Sequence, residues 1–486
     1  MSEGKHPHVI LTLNTLAFTV CFAVWMLNGV LVTFLVDNRV FDWSATEMGT
    51  LIGVPVLTGS LFRLPVGMLT DKYGGRPVFA SVMLLSAIPM YFLSSADSYT
   101  SFLLCSLGFG LSGASFAVGI AYTSVWYGRS NQGTALGIFG AGNAGAAATT
   151  LGAPTVLGWL TDAGTNLDGW RTLPQMYAVG LVLMTLIFLF GTVNKRAKSA
   201  KGKTLRRILQ PLKEIRVWRF GLYYFVVFGG FVALAQWLVP YYLNVYGMSI
   251  VAAGVMTSIF SLPSGVIRAL GGWMSDLMGA RKVLFWVLGI IGICSLLLVF
   301  PKMDIESTGR GIMAQRAGTV TEVSSDIVTV DTTTYTLKAK PEDTEEAYSA
   351  SRMMLFPVIR TWQEPAVTAG ETVEKKQVLA EGVTHIFFQA NVWVFTALVF
   401  VIGIAMGIGK AAVYRYIPDY FPDDVGVVGG LVGVIGGLGG FVCPIVFGFL
   451  LDGLGLWTTT WMFLLGVTAI CFVWLDLVVR QISHKI

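Results

Sequence analysis

Arg63 and Arg268 are the residues of this sequence that most need a chemical reason. Each stands in a long apolar run, eight residues ahead of an aspartate, Asp71 or Asp276. An arginine at the centre of a membrane-spanning helix costs about 2.5–3.5 kcal/mol. Two structural explanations fit poorly. An ion pair needs an acidic partner, and the interiors of the apolar runs hold no Asp or Glu. Snorkelling to the interface would have to cover about 12 Å along the helix, the rise of eight residues and long for a side chain. A ligand fits better, because a guanidinium fork can grip a planar oxyanion through two hydrogen bonds. On this reading the two arginines clamp a small anion midway through the bilayer.

Lys410 is a third cation in an apolar run, within Gly407-Ile-Gly-Lys410-Ala-Ala-Val-Tyr414-Arg415. Lysine loses its proton readily when desolvated or placed near other cations, whereas arginine stays charged. With no His, Asp or Glu in any apolar interior, Lys410 is the one ordinary titratable side chain there besides tyrosines. Two uses stay open: a proton carrier linked to anion entry, or a fixed charge that attracts anions. Glycines crowd two other runs: Gly137, Gly140, Gly142 and Gly145 in one, Gly430, Gly433, Gly436 and Gly437 in the other. Such stripes allow close helix approach, which serves packing and gating equally. Asn143 interrupts the first stripe with an amide able to donate to an oxyanion.

The elements that must position these groups are membrane helices. Of 486 residues 54% are hydrophobic and 13% charged, about half the charge of a soluble domain. Spans of roughly 20 apolar residues are predicted near 10–36, 46–70, 77–95, 100–126, 132–160, 173–193, 218–245, 250–275, 282–300, 389–416, 425–451 and 456–479. The first has no small-residue cleavage site after it and is expected to stay as a helix. Residues 194–219 carry ten Lys or Arg against one acid, Glu214. With the N-terminus in the cytoplasm, the short inner segments hold nineteen Lys or Arg and the short outer loops only Arg39 and Arg171. The positive-inside rule therefore places both termini in the cytoplasm and residues 302–388 outside. The net charge of +5 sits in the basic linker and is no nucleic-acid signature. Cys21, Cys105, Cys294, Cys443 and Cys471 all lie in apolar runs, as packing residues rather than disulfides or metal ligands.

A repeat runs through the chain. Arg63, Gly67, Asp71 and Arg76 recur as Arg268, Gly272, Asp276 and Arg281, 205 residues later with identical spacing. A looser Gly-x-x-x-Asp closes the fifth and eleventh segments (Gly158 and Asp162, Gly448 and Asp452). Nested three-helix repeats produce such a signal every third helix. The stretch Gly67-Met-Leu-Thr-Asp71-Lys-Tyr-Gly-Gly-Arg76 resembles the loop motif of the major facilitator superfamily. That resemblance covers nearly all of the chain except 302–388. It implies an all-α polytopic membrane protein of twelve helices in two six-helix halves. The divisions are then 1–193, a basic linker 194–217, 218–301, an insertion 302–388, and 389–486.

Helix-2 and helix-8 arginines with paired glycine stripes resemble, more narrowly, the NarK-type nitrate/nitrite porters, whose signature is similar to Gly142-Asn143-Ala-Gly145. By that resemblance Arg63, Arg268, Asn143 and Tyr224 bind the anion and Phe116 and Phe228 sandwich it. Without it, each aromatic reads as packing. The Gly-Lys-Ala-Ala stretch around Lys410 resembles a proton-linked symporter subgroup. The implied function is import of nitrate, or nitrite, across a bacterial inner membrane, with protons as co-substrate. A nitrate/nitrite exchanger, and a porter of another small anion, stay open.

The insertion departs from the family pattern. Thr319-Val-Thr-Glu-Val323 and Asp326-Ile-Val-Thr-Val-Asp331 alternate as half-buried strands do. Residues 367–382 resemble one edge of a lipoyl-like module without its modified lysine. A small β-rich cap is expected, with an unknown partner or a sensor role as the remote alternative. No nucleophile triad, phosphate loop or metal cluster is recognisable, so no cofactor, metal or enzymatic activity is expected.

Overall fold

The computed structural model describes residues 7–127, 132–196, 209–300, 303–341, 357–421 and 425–483. Most of the expected basic linker, 197–208, lies outside the described residues.

Helical segments account for nearly all of the described residues outside the insertion. They are α1 (Pro7–Asp37), α2 (Ala45–Tyr73), α3 (Gly75–Ser95), α4 (Tyr99–Ser124), α6 (Leu167–Gly191), α7 (Ile215–Tyr246), α9 (Ala280–Leu297), α10 (Val392–Tyr416), α11 (Val427–Leu454) and α12 (Thr459–Arg480). These ten are long and apolar enough to cross a membrane. Between them, α8 is a bent pair, Ile250–Val266 and Arg268–Met278, at 47°. The chain is therefore a multi-pass membrane protein. Twelve spans were expected from the sequence; the described residues give ten, or eleven with α8. The remaining segment, α5, is helical in two pieces, Gln132–Gly140 and Gly145–Leu160, joined by a tight turn over Ala141–Ala144. At nine and sixteen residues, neither piece alone reaches the roughly 20 residues a span requires.

The sequence repeat is also a repeat of backbone breaks. Helix α2 is interrupted at Phe62 (φ −74°, ψ −7°) and α8 at Ile267 (φ −68°, ψ −5°), each one residue before its arginine. Both helices end on a glycine with positive φ, Gly74 at +90° and Gly279 at +86°. That backbone region favours glycine because it has no Cβ. The polar starts are sealed locally: Ser44 and Glu47 cap α2 reciprocally, and Ser249 accepts from the Ala252 N–H at the start of α8.

Packing follows the glycine stripes. On α5, Gly142 lies against Phe18 and Gly145 against the α1 backbone, with Ala23 N 2.9 Å from where a Cβ would stand. The other face of α5 meets α8, where Gly254 sits against Thr150 and Gly265 against Ala144. By the same pattern α11 lies between α7 and α2: Gly436 backs onto Tyr224, and Gly53 of α2 fits beneath the Phe441 carbonyl. Equivalent helices of the two halves thus use equivalent partners.

Residues Phe300–Phe395 form a separate compact unit. It holds a three-stranded antiparallel sheet, β1 (Met303–Met313), β7 (Val378–Phe388) and β5 (Val358–Pro365), in that order. A four-stranded sheet runs β4 (Thr333–Thr336), β3 (Ile327–Val330), β2 (Gly318–Val323), β6 (Thr372–Val373). Val320, Val328, Val330, Tyr335, Leu337, Val373 and Leu379 make its core. The small β-rich insertion expected from alternation is present.

Candidate anion site

Arg63 opens the second half of α2 and is only 5% exposed. Its Nη1 donates to the Gly433 carbonyl of α11 at 2.9 Å, while its Nε has no partner. Its guanidinium carbon lies 5.0 Å from the Phe228 ring, 5.4 Å from Phe116 and 5.7 Å from Trp25. Arg268 opens the second half of α8. Its guanidinium carbon is 5.5 Å from both Phe116 and Tyr414, and its buried Nη1 is unpartnered. No ion pair among the described residues involves either arginine. Rings compensate part of a buried cation's lost hydration, but free N–H groups of two cations in one place call for an anion.

The structure brings three of the other expected residues, Tyr224, Phe228 and Phe116, to this place, and buries a fourth, Asn143, in the α5 turn that packs on α8 at Gly265. Tyr224 and Phe228 stack at 5.0 Å and 8°, across a π-helical turn at Phe225–Gly229. Such turns re-aim side chains and are frequent at functional sites. The Tyr224 side chain is fully buried, beside Tyr414. Phe116 serves both arginines. Asn143, fully buried in the α5 turn, has both amide atoms unpartnered. Gly140, one turn earlier, lies 3.6 Å (as a virtual Cβ) from Arg268 Cδ.

The glycines divide by what they face. A Cβ on Gly433 would stand 2.8 Å from Tyr414 Oη and 3.9 Å from Arg63 Nη1, and one on Gly437 3.3 Å from Arg63 Nη1. Gly137 and Gly430 face the opposite half, with Ala269 at 3.9 Å and Leu64 at 3.7 Å. Gly142, Gly145 and Gly436 are occupied by helix packing. In the loop motif, Arg76 donates to the Leu189 carbonyl at 2.7 Å, Arg281 donates to Tyr416 Oη at 3.2 Å, and Asp276 pairs with Arg415 at 2.6 Å. Gly67 and Gly272 have open space beside them. Asp71 stands in the last turn of α2, between Gly67 and Arg76.

Lys410 is fully buried. Its Nζ donates to the Ser264 carbonyl at 3.2 Å, lies 3.3 Å from Ser264 Oγ, and stands 3.1 Å from the Phe231 ring centroid. Ser264 is in the last turn before the α8 break, where carbonyls lack intrahelical partners. Lys410 therefore ties α10 to the bend that sets Arg268.

Two site residues escaped the sequence reading. Tyr414 donates to the Gly429 carbonyl at 3.1 Å and lies edge-on to Tyr224 at 5.0 Å. Its place four residues after Lys410, on the same helix face, was the available signal. Trp25 donates to the Pro55 carbonyl at 2.8 Å while facing Arg63; nothing local in the sequence marks it.

The family profile described as Major Facilitator Superfamily matches residues 13–319 and 378–485. The "Probable nitrate/nitrite antiporter NarK1" of Thermus thermophilus is 37% identical over 98% of this chain and 92% of its own length. The "Probable nitrate/nitrite transporter NarK2" of Mycobacterium tuberculosis (strain ATCC 25618 / H37Rv) is 32% identical over 56% of this chain and 68% of its own. Among solved structures, a bacterial homologue of the human lysosomal transporter Spinster, in an inward-facing and occupied conformation, aligns over 98% of both chains. Its TM-score is 0.66 at 14% identity, a likeness of fold alone.

Proposed function

Since the chain belongs to the major facilitator superfamily, in the branch that includes NarK1 of Thermus thermophilus, we propose that it imports nitrate, or nitrite, across a bacterial inner membrane by alternating access. The observation that carries this reading is the convergence of Arg63 and Arg268 on Phe116, with unpaired N–H groups and no ion-pair partner among the described residues. A planar anion placed there receives guanidinium donors at its edges and aromatic faces above. Tyr224 and Asn143 supply further donors. The names of the relatives point to the same ligand. The charge bias of the loops supports a cytoplasmic position for both termini.

A −1 anion entering a cell that is negative inside moves uphill by about 2.3 kcal/mol per 100 mV. Two protons per anion reverse the sign of the transferred charge. Lys410 is our candidate to carry the coupling: buried, bonded to Ser264 at the α8 bend, and able to change charge where the arginines cannot. Loss of its proton would weaken the charge-assisted bond to the Ser264 carbonyl and alter the field at Arg268 together. The word "antiporter" in the Thermus relative's name favours a second reading, electroneutral exchange of external nitrate for internal nitrite.

The deciding experiment is uptake of labelled nitrate by proteoliposomes with either an imposed pH gradient or internal nitrite. Uptake driven by the gradient, lost in Lys410→Ala, is expected for symport. Uptake only with internal nitrite establishes exchange. No nitrate movement under either condition rejects the porter reading, and competition by formate as strong as by nitrite would make the ligand another small anion.

A further inference from the structure

Among the described residues three arginines bear buried N–H groups without a partner: Arg63, Arg268 and Arg219. The first two form the central site. Arg219 lies in the first turns of α7, is 5% exposed, and has both Nε and Nη2 unpaired. Its guanidinium carbon rests 5.2 Å from the Phe220 ring and 5.5 Å from Tyr420. Two more cations face the same aromatic group. Arg216 lies 5.4 Å from the Tyr420 ring, and Arg281 donates to Tyr416 Oη, which is 3.2 Å from Tyr420 Oη. The nearby carboxylates of Asp276 and Asp419 are both engaged by Arg415. Asp423 and Asp424 lie outside the described residues. Tyr420, beyond the end of α10, feels the excess of positive charge. Its burial alone would raise its pKa, yet the bond with Tyr416 and the charges of Arg219 and Arg281 hold it below the ordinary phenol value.

A buried cation without a counter-ion is costly, and at the central site the same condition marks where an anion goes. We propose that Arg219, with Arg216 at its rim, forms a second anion pocket at the end of the bundle where α7 and α9 begin. It would take an oxyanion group, either a free small oxyanion or the phosphate of an anionic lipid. On the proposed orientation this end is cytoplasmic, so a free anion bound there would sit at the inner mouth of the transport path. An arginine fork is suited to either source because both present paired oxygens.

The test uses the full chain in nanodiscs, as wild type, Arg219→Gln, Arg219→Lys and the double variant Arg63→Gln/Arg268→Gln. Nitrate is titrated calorimetrically in discs of phosphatidylcholine only. Melting is then compared after phosphatidylglycerol is added. For a free anion, wild type binds two nitrate equivalents, Arg219→Gln loses one, and the double variant loses the other. For a lipid phosphate, the nitrate stoichiometry is one, and phosphatidylglycerol raises the melting temperature of wild type but not of Arg219→Gln. Arg219→Lys keeps the charge without the fork and is expected to bind more weakly in whichever arm responds. Central-site nitrate binding by Arg219→Gln reports that the variant is folded. Arg219→Gln with wild-type nitrate stoichiometry and a wild-type response to phosphatidylglycerol overturns the proposal. The outcome is independent of transport, so it separates from any failure of the porter reading.

Discussion

Arg63 and Arg268 share one ring: their guanidinium carbons lie 5.4 and 5.5 Å from the centroid of Phe116. They come from helices of opposite halves, and each follows a break in its helix by one residue. The breaks turn two membrane-buried charges toward a common point. If both grip one anion, removing either leaves it half held. Truncating one partner of a buried charged contact costs about 2–5 kcal/mol, so Arg63→Gln and Arg268→Gln should each weaken nitrate uptake by about 30-fold or more. The KM for labelled nitrate is the readout. A change below about threefold in either variant would remove that arginine from the site.

The glycines make a sharper contrast, because space around them differs. A methyl on Gly433 would press on Tyr414 Oη at 2.8 Å beside Arg63, whereas Gly67 has nothing within 4 Å. Gly433→Ala should abolish most transport at near-normal expression. Gly67→Ala should stay within about 0.5 kcal/mol of wild-type stability and keep its uptake rate. Equal activity of the two variants would argue against a crowded site at Gly433.

Lys410 can be tested for charge apart from its hydrogen bond. Lys410→Gln retains a donor for the Ser264 carbonyl but not a proton that can leave. Under the symport reading this variant should lose uptake driven by a pH gradient while still exchanging nitrate for nitrite across proteoliposomes. Gradient-driven uptake at the wild-type rate would reduce Lys410 to a fixed or structural group.

Across the halves, Asp452 at the end of α11 accepts hydrogen bonds from the Ala45 and Thr46 N–H groups at the start of α2, at 3.0 and 2.7 Å. It caps a helix of the other half, and only while the two ends are together. Losing such a cap costs about 1 kcal/mol. Asp452→Ala should therefore loosen the α2–α11 contact, and the buried thiol of Cys443 on α11 should react faster with a membrane-permeant maleimide, read by mass spectrometry. Unchanged labelling would show that close packing of Gly49 on the Pro444 carbonyl and of Gly53 on the Phe441 carbonyl holds this contact without the cap.

The insertion should be separable. Its first and last strands pair antiparallel with Met303 opposite Phe388, so its two ends are neighbours, and it has a core of its own. Replacing 303–388 with a short Gly-Ser linker should preserve nitrate uptake in proteoliposomes. Loss of uptake with correct membrane insertion would assign the insertion a part in transport.

Much of this protein is legible in the sequence because lipid permits few solutions. A backbone in hydrocarbon must satisfy its hydrogen bonds within the helix, so apolar runs read directly as helices, and all but α5 and the bent α8 match the lengths a span needs. Arg63 and Arg268 stand out for the same reason: a charge in such a run is conspicuous, and the repeat of four spaced residues relates the two by spacing alone. What the sequence could not determine is set by side chains that meet from distant helices. The glycine stripe at 132–160 reads as one span, yet its backbone tightens into a turn at Ala141–Ala144 and buries Asn143. Tyr414 and Trp25 look like any aromatic in an apolar run until α10 and α1 bring them against the arginines. Lys410 announces itself by its charge, but its partner is a backbone carbonyl exposed by the bend of α8, a group every residue possesses. Charge and periodicity are properties of the chain; which carbonyl is left free, and which ring faces which cation, are decided only when the helices pack.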